Sequence, residues 1–189
     1  MNKEKKDSDF MKDNRIVYFN GFFEEESAED AIKDIIELEH EDPSKDIILY
    51  IDSYGGNYHS FIAIHDVMRL CRCNIATVCI GKAMSAAQML LISGTKGKRF
   101  ITPNATIMMH QISTGFFGNL KEMENEVMLT QRYQKTLEKM IISYTKITKN
   151  ELSKFMSKEM YFTAEEAVKY GIVDYIIKSP KEFYNKLKI

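Results

Sequence analysis

The sequence predicts an α/β protein built on a largely parallel sheet. Two observations carry that reading. Continuous apolar runs such as Asp46-Ile-Ile-Leu-Tyr-Ile-Asp52 have the pattern of strands covered on both faces. Between such runs lie segments with apolar residues at three- and four-residue spacing, and this strand–helix alternation favours parallel pairing. The 189 residues suffice for one domain with a real core. The expected organisation is a polar N-terminal segment over 1–14 and a single domain over 15–189, with no linker, low-complexity segment or strict repeat.

Element by element, Arg15-Ile-Val-Tyr-Phe-Asn20 reads as the first strand. Ser27 is the expected N-cap of a helix whose apolar face is Ala31, Ile32, Ile35 and Leu38. Asp42-Pro43-Ser44 breaks it, and 46–52 is the second strand. A turn at Gly55-Gly56 leads to a helix near 59–70, a strand at 75–80 and a helix over about 85–93. The turn 94–98 feeds short strands at 99–101 and 106–110. A long amphipathic helix follows over about 120–146, with Met123, Val127, Leu137, Met140, Ile141 and Tyr144 on or near one stripe. Thr163-Ala-Glu-Glu166 has the form of a capping box, Gly171 ends that helix, and 172–177 is a last strand.

Charge excludes some functions. With 26 basic and 27 acidic residues the formal net charge is −1, so no global basic field gathers nucleic acid or anionic lipid. No run reaches the length of a membrane span, and the polar start lacks the apolar core of a secretory signal. Cys71, Cys73 and Cys79 are odd in number and lack zinc-finger spacing, which predicts reduced thiols and no metal site. A cytoplasmic location without a cofactor is expected. The 12 methionines suit adaptable core filling or plastic contact surfaces.

Ligands in α/β sheets collect beyond the carboxyl ends of strands, and three ends stand out. One carries Asp52-Ser53-Tyr54-Gly55-Gly56, another Gly81-Lys-Ala-Met-Ser85, and the third ends in His110. The paired glycines read either as a tight turn or as an anion-binding nest. Ser85 reads either as a helix cap or as a nucleophile beside a free N–H. It is not in a G-x-S-x-G elbow. Among the four histidines, His40 reads as solvated, and His59 and His65 as partly exposed on one helix. His110 alone ends an apolar strand. The basic turn 96–99 reads as solvated.

From Arg15 to Ile177 the chain resembles the ClpP family, the proteolytic subunit of the ATP-dependent Clp protease. "DSYGG" (52–56) is similar to that family's oxyanion turn, usually N-S-P-G-G, and "GKAMSAAQMLLISGTKGKRF" (81–100) to its serine segment. "PNATIMMHQ" (103–111) resembles its histidine segment, and "YFTAEEAVKYGIVDYII" (161–177) its C-terminal motif.

The resemblance implies a ClpP/crotonase-type α/β superhelix of β-β-α units, with the helix at 120–146 protruding as a handle. It implies Ser85 as nucleophile, His110 as general base, and the backbone N–H groups of Gly56 and Ala86 as oxyanion donors. The family's acid, normally Asp, aligns with Glu159. Tyr54 and Ile112 stand where the family has prolines, and Ile48 replaces a tyrosine beside the docking positions Tyr50, Leu70 and Ile177. The implied activity is acyl transfer from unfolded polypeptides to Ser85, then hydrolysis. The implied assembly is a tetradecamer of two heptameric rings fed by a Clp-class ATPase unfoldase. The N-terminal segment is shorter and more charged than that family's axial loops. Alternatives are a catalytically weak ring subunit, a phage head-maturation protease of the same fold, or an acyl-CoA-processing crotonase. The Ser85/His110 pair and the short chain argue against the crotonase.

Overall fold

β1 (Ile16–Phe23), β2 (Ile47–Gly56) and β3 (Ile75–Met84) lie parallel in a seven-stranded sheet with β1 at one edge, in a computed structural model that describes residues 10–187. Most of the polar N-terminal segment, and any gating role for it, lies outside the described residues. β4 (Arg99–Ile101) and β5 (Thr106–Met109) both pair in parallel with β3, and β7 (Tyr175–Ile176) extends the sheet beyond β4. β6 (Met160–Phe162) runs antiparallel to β5. The expected α/β class is the one observed.

The long strands reach past their expected ends at residues 20, 52 and 80 because each is two segments joined at a bend. Register shifts fall between Gly21 and Phe22 and between Ile51 and Ser53. β3 pairs with β4 through Thr77–Cys79 and with β5 through Lys82–Met84. At its bend β3 exchanges β4 for β5 as its hydrogen-bonding neighbour, whereas β1 and β2 keep their partners through theirs.

Helices α1 (Glu25–Glu41), α2 (Tyr58–Leu70) and α3 (Ala86–Ile92) cover one face. Phe19, Phe23, Ile35, Leu49, Phe61 and Leu90 are buried in the main core there. α1 starts earlier than expected. Glu24 is its N-cap, and Ser27 is the third residue, accepting the Glu24 N–H at 3.0 Å. The polar pattern fits both registers, and the chain takes the one that keeps Ala28 buried.

The other face carries a smaller cluster of Ile48, Ala76, Val78 and Phe100, closed by Phe183 and Leu187 of α7 (Pro180–Leu187). The long helix α4 (Leu120–Tyr144) buries only Ile141, with Leu137, Met140 and Tyr144 half-buried. Met123 and Val127, at its other end, are exposed. Three short elements are too brief to show periodicity and escape sequence reading: α5 (Lys149–Phe155), β6 and α7. α6 (Ala164–Lys169) has the expected capping box between Thr163 and Glu166, and Gly171 adopts φ +66° at its end.

The 96–99 turn is not simply solvated. Arg99 is buried, with two bonds to the Asp174 carboxylate (2.7 and 3.0 Å) and one to the Tyr144 carbonyl (2.7 Å). Lys98 pairs with Asp46. His65 is likewise buried rather than partly exposed, because both ring nitrogens have partners: Asp66 at 2.8 Å and the Tyr144 hydroxyl at 3.0 Å.

Candidate active site

The site forms where β2, β3 and β5 end. β3 stops at Met84, and Ser85 turns the chain into α3 with φ 53° and ψ −120°. A left-handed serine is a strained backbone, of a kind that persists only where its surroundings fix it. Two contacts fix it here. The Ser85 N–H donates to the Met108 carbonyl of β5 at 2.9 Å. From the other side the end of β2 closes in: a Cβ on Gly55 would lie 2.8 Å from Ser85 Cβ and 2.7 Å from the Met84 carbonyl oxygen. Only glycine allows that approach, and Gly55 also has φ +98°. Ser53 pins the same turn, donating to the Gly21 carbonyl and accepting the Gly55 N–H at 3.0 Å. Sequence reading passed over Ser53; its signal is a buried serine beside paired glycines.

The Ser85 hydroxyl makes no capping bond to α3. Its partner is Nε2 of His110, 2.8 Å away. The Met84↔Met108 register brings His110 to that position, since it lies two residues beyond Met108 on β5's exit. Both side chains are partly exposed and line a cavity of about 390 Å³. Gly56 and Ala86 line the same cavity. As the first residue of α3, Ala86 carries an N–H with no intrahelical acceptor. Tyr58, His59 and Tyr133 form one wall: the two tyrosine rings stack at 4.1 Å and the Tyr133 hydroxyl lies 3.2 Å from His59 Nε2.

Glu159 is exposed, and its carboxylate accepts from the Tyr161 hydroxyl at 3.0 Å. That bond pushes the Tyr161 hydroxyl above its ordinary pKa. Among the described residues no hydrogen bond joins Glu159 to His110. The antiparallel pair Met109↔Met160, continued by one residue each way, sets His110 opposite Glu159. Tyr50 and Ile177 meet on the smaller cluster, Tyr50 facing the Phe183 ring at 6.3 Å. Leu70 belongs to neither cluster and is 83% exposed at the end of α2. Among the described residues no cluster of side chains suits a metal ion, and no helix is long and apolar enough to cross a membrane.

A serine bonded to a histidine, both at the carboxyl ends of strands in a mainly parallel sheet, marks a serine-hydrolase class of α/β protein. The family model for Clp protease matches residues 2–180. The chain is 41% identical over 167 residues to the ATP-dependent Clp protease proteolytic subunit 1 of Thermobifida fusca, covering 86% of this chain and 74% of that one. It is 38% identical over 168 residues to proteolytic subunit 1 of Corynebacterium jeikeium, covering 89% of each. Proteolytic subunit 2 of Frankia casuarinae is 38% identical over 167 residues, covering 88% of this chain and 77% of its own. The chain belongs to the Clp protease family and is a Clp-type serine peptidase.

Proposed function

We infer that Ser85 and His110 perform the peptidase chemistry on unfolded polypeptides. The observation that carries this is the 2.8 Å bond from Ser85 Oγ to His110 Nε2, made by a serine whose own helix leaves its hydroxyl free. In this reading Ser85 Oγ attacks the peptide carbonyl while Nε2 takes its proton. The oxyanion accepts the N–H groups of Gly56 and Ala86, which act through preorganised dipoles. His110 then protonates the leaving amine, and water hydrolyses the acyl-enzyme with the roles reversed. Glu159 orients His110 by turning from Tyr161 to the imidazole Nδ1.

A peptidase of this kind is safe in the cytoplasm only if access to it is restricted. The half-exposed handle α4 supports assembly of two seven-membered rings enclosing the serines. The smaller sheet face with Tyr50 and Ile177, together with Leu70, receives a Clp-class ATPase that supplies unfolded chains. The working unit is the single domain over 15–189.

Hydrolysis of a fluorogenic peptide by wild type and by Ser85→Ala tests the reading. Activity in the wild type and none in the variant is expected, and near-wild-type turnover in Ser85→Ala would overturn it. A catalytically weak ring subunit is favoured by one observation, the engagement of Glu159 with Tyr161. It predicts labelling of Ser85 without appreciable turnover.

A further inference from the structure

α3 sends a second polar group into the catalytic cavity. Gln88 is the third residue of α3, and helical side chains lean back toward the helix start, where Ser85 stands. Gln88 is 1% exposed, lines the cavity with Ser85 and Ala86, and its Nε2 has no hydrogen-bond partner. Part of the cavity wall is apolar, with Phe61, Met89, Leu137, Ile141 and Met156. A buried donor without an acceptor is costly to the free protein. A ligand that supplies the acceptor recovers that loss on binding.

We propose that Gln88 selects a carboxamide side chain, glutamine or asparagine, on the acyl side of the scissile bond. The proposal rests on Ser85 being the nucleophile. An acyl carbon bonded to Ser85 Oγ carries its side chain beside the first turn of α3, where the Gln88 amide lies. A substrate carboxamide answers that amide in both directions, accepting from its N–H and donating to its oxygen. An aliphatic side chain fills the apolar wall and leaves Nε2 unpaired. A lysine offers donors only. A carboxylate accepts, but it brings a charge into a cavity lined by Glu126 and by no lysine or arginine.

The test is a set of fluorogenic peptides differing only at the acyl-side residue (Gln, Asn, Met, Leu or Glu), hydrolysed by wild type, Gln88→Met and Gln88→Leu. The ratio of kcat/KM for Gln over the near-isosteric Met cancels differences in the folded fraction between preparations. Wild type should favour Gln, and both variants should shift the ratio about tenfold toward Met. A ratio unmoved within twofold, or failure of the wild type to cleave the Gln and Asn peptides, overturns the proposal. Fluorophosphonate labelling of the same preparations separates the two levels. Labelled Ser85 with an unmoved ratio removes only the role of Gln88, whereas unlabelled Ser85 and no cleavage of any peptide remove the nucleophile reading as well.

Discussion

Ser85 stands where a capping serine would stand, and its hydroxyl bonds to His110 instead. The sequence left cap and nucleophile open because both place a serine between a strand and a helix; only the positive φ separates them, and no glycine in Met84-Ser85-Ala86 announces it. His110 was a candidate on its own, as the one histidine ending an apolar strand. Glu159 was put forward by alignment alone, since it only precedes a three-residue strand that has no periodicity of its own. If its carboxylate orients His110, Glu159→Gln should lower kcat by up to about 10⁴-fold, and Glu159→Asp should retain activity. Tyr161→Phe removes the competing donor and should raise kcat. A fall in Tyr161→Phe would mean that the tyrosine positions Glu159. Equal kcat in wild type and Glu159→Gln would mean that another group orients the histidine.

Elements place these residues through their bends and ends. The close pass of β2 over the Ser85 turn depends on Gly55, so Gly55→Ala should displace Ser85 by a fraction of an ångström or more. A loss of about 10²-fold in kcat/KM is expected from such a misplacement, with steady-state peptide hydrolysis as the readout. Strand cores were legible in the sequence, but strand ends were not, because the residues beyond each bend lose the continuous apolar pattern. The buried Arg99–Asp174 pair was hidden for another reason: a lysine- and arginine-rich turn looks solvated until the partner 75 residues away is in place. Burial alone would raise the Asp174 carboxyl, but its bonds from Arg99 and Gly97 outweigh this and hold it below its ordinary value of 3.8. A depressed native pKa gives stability that is full above that ordinary value and is lost as pH falls through the native one. Asp174→Asn leaves the guanidinium without its counter-charge and should cost about 3–5 kcal/mol in urea unfolding at neutral pH. The difference from wild type should shrink on acidification below the ordinary carboxyl value. A constant difference across that range would place the cost in packing rather than charge.

At the scale of the molecule, the sheet has two unequal coats, and one helix stands partly clear of both. The sequence showed α4's stripe but not that its first half lacks a partner among the described residues, because amphipathic periodicity is the same for a core and for an interface. Leu120, Met123 and Val127 are exposed there, and native mass spectrometry should find a large ring assembly rather than a 22.0 kDa monomer. Assembly and docking depend on the catalytic claim for their purpose, and that claim has a direct measurement. Treating the full-length protein with a fluorophosphonate and mapping the adduct by peptide mass spectrometry should place one phosphonyl group on Ser85, with His110→Ala suppressing the reaction. Modification at another serine, or an unmodified Ser85 in a preparation that still hydrolyses peptides, would contradict the account.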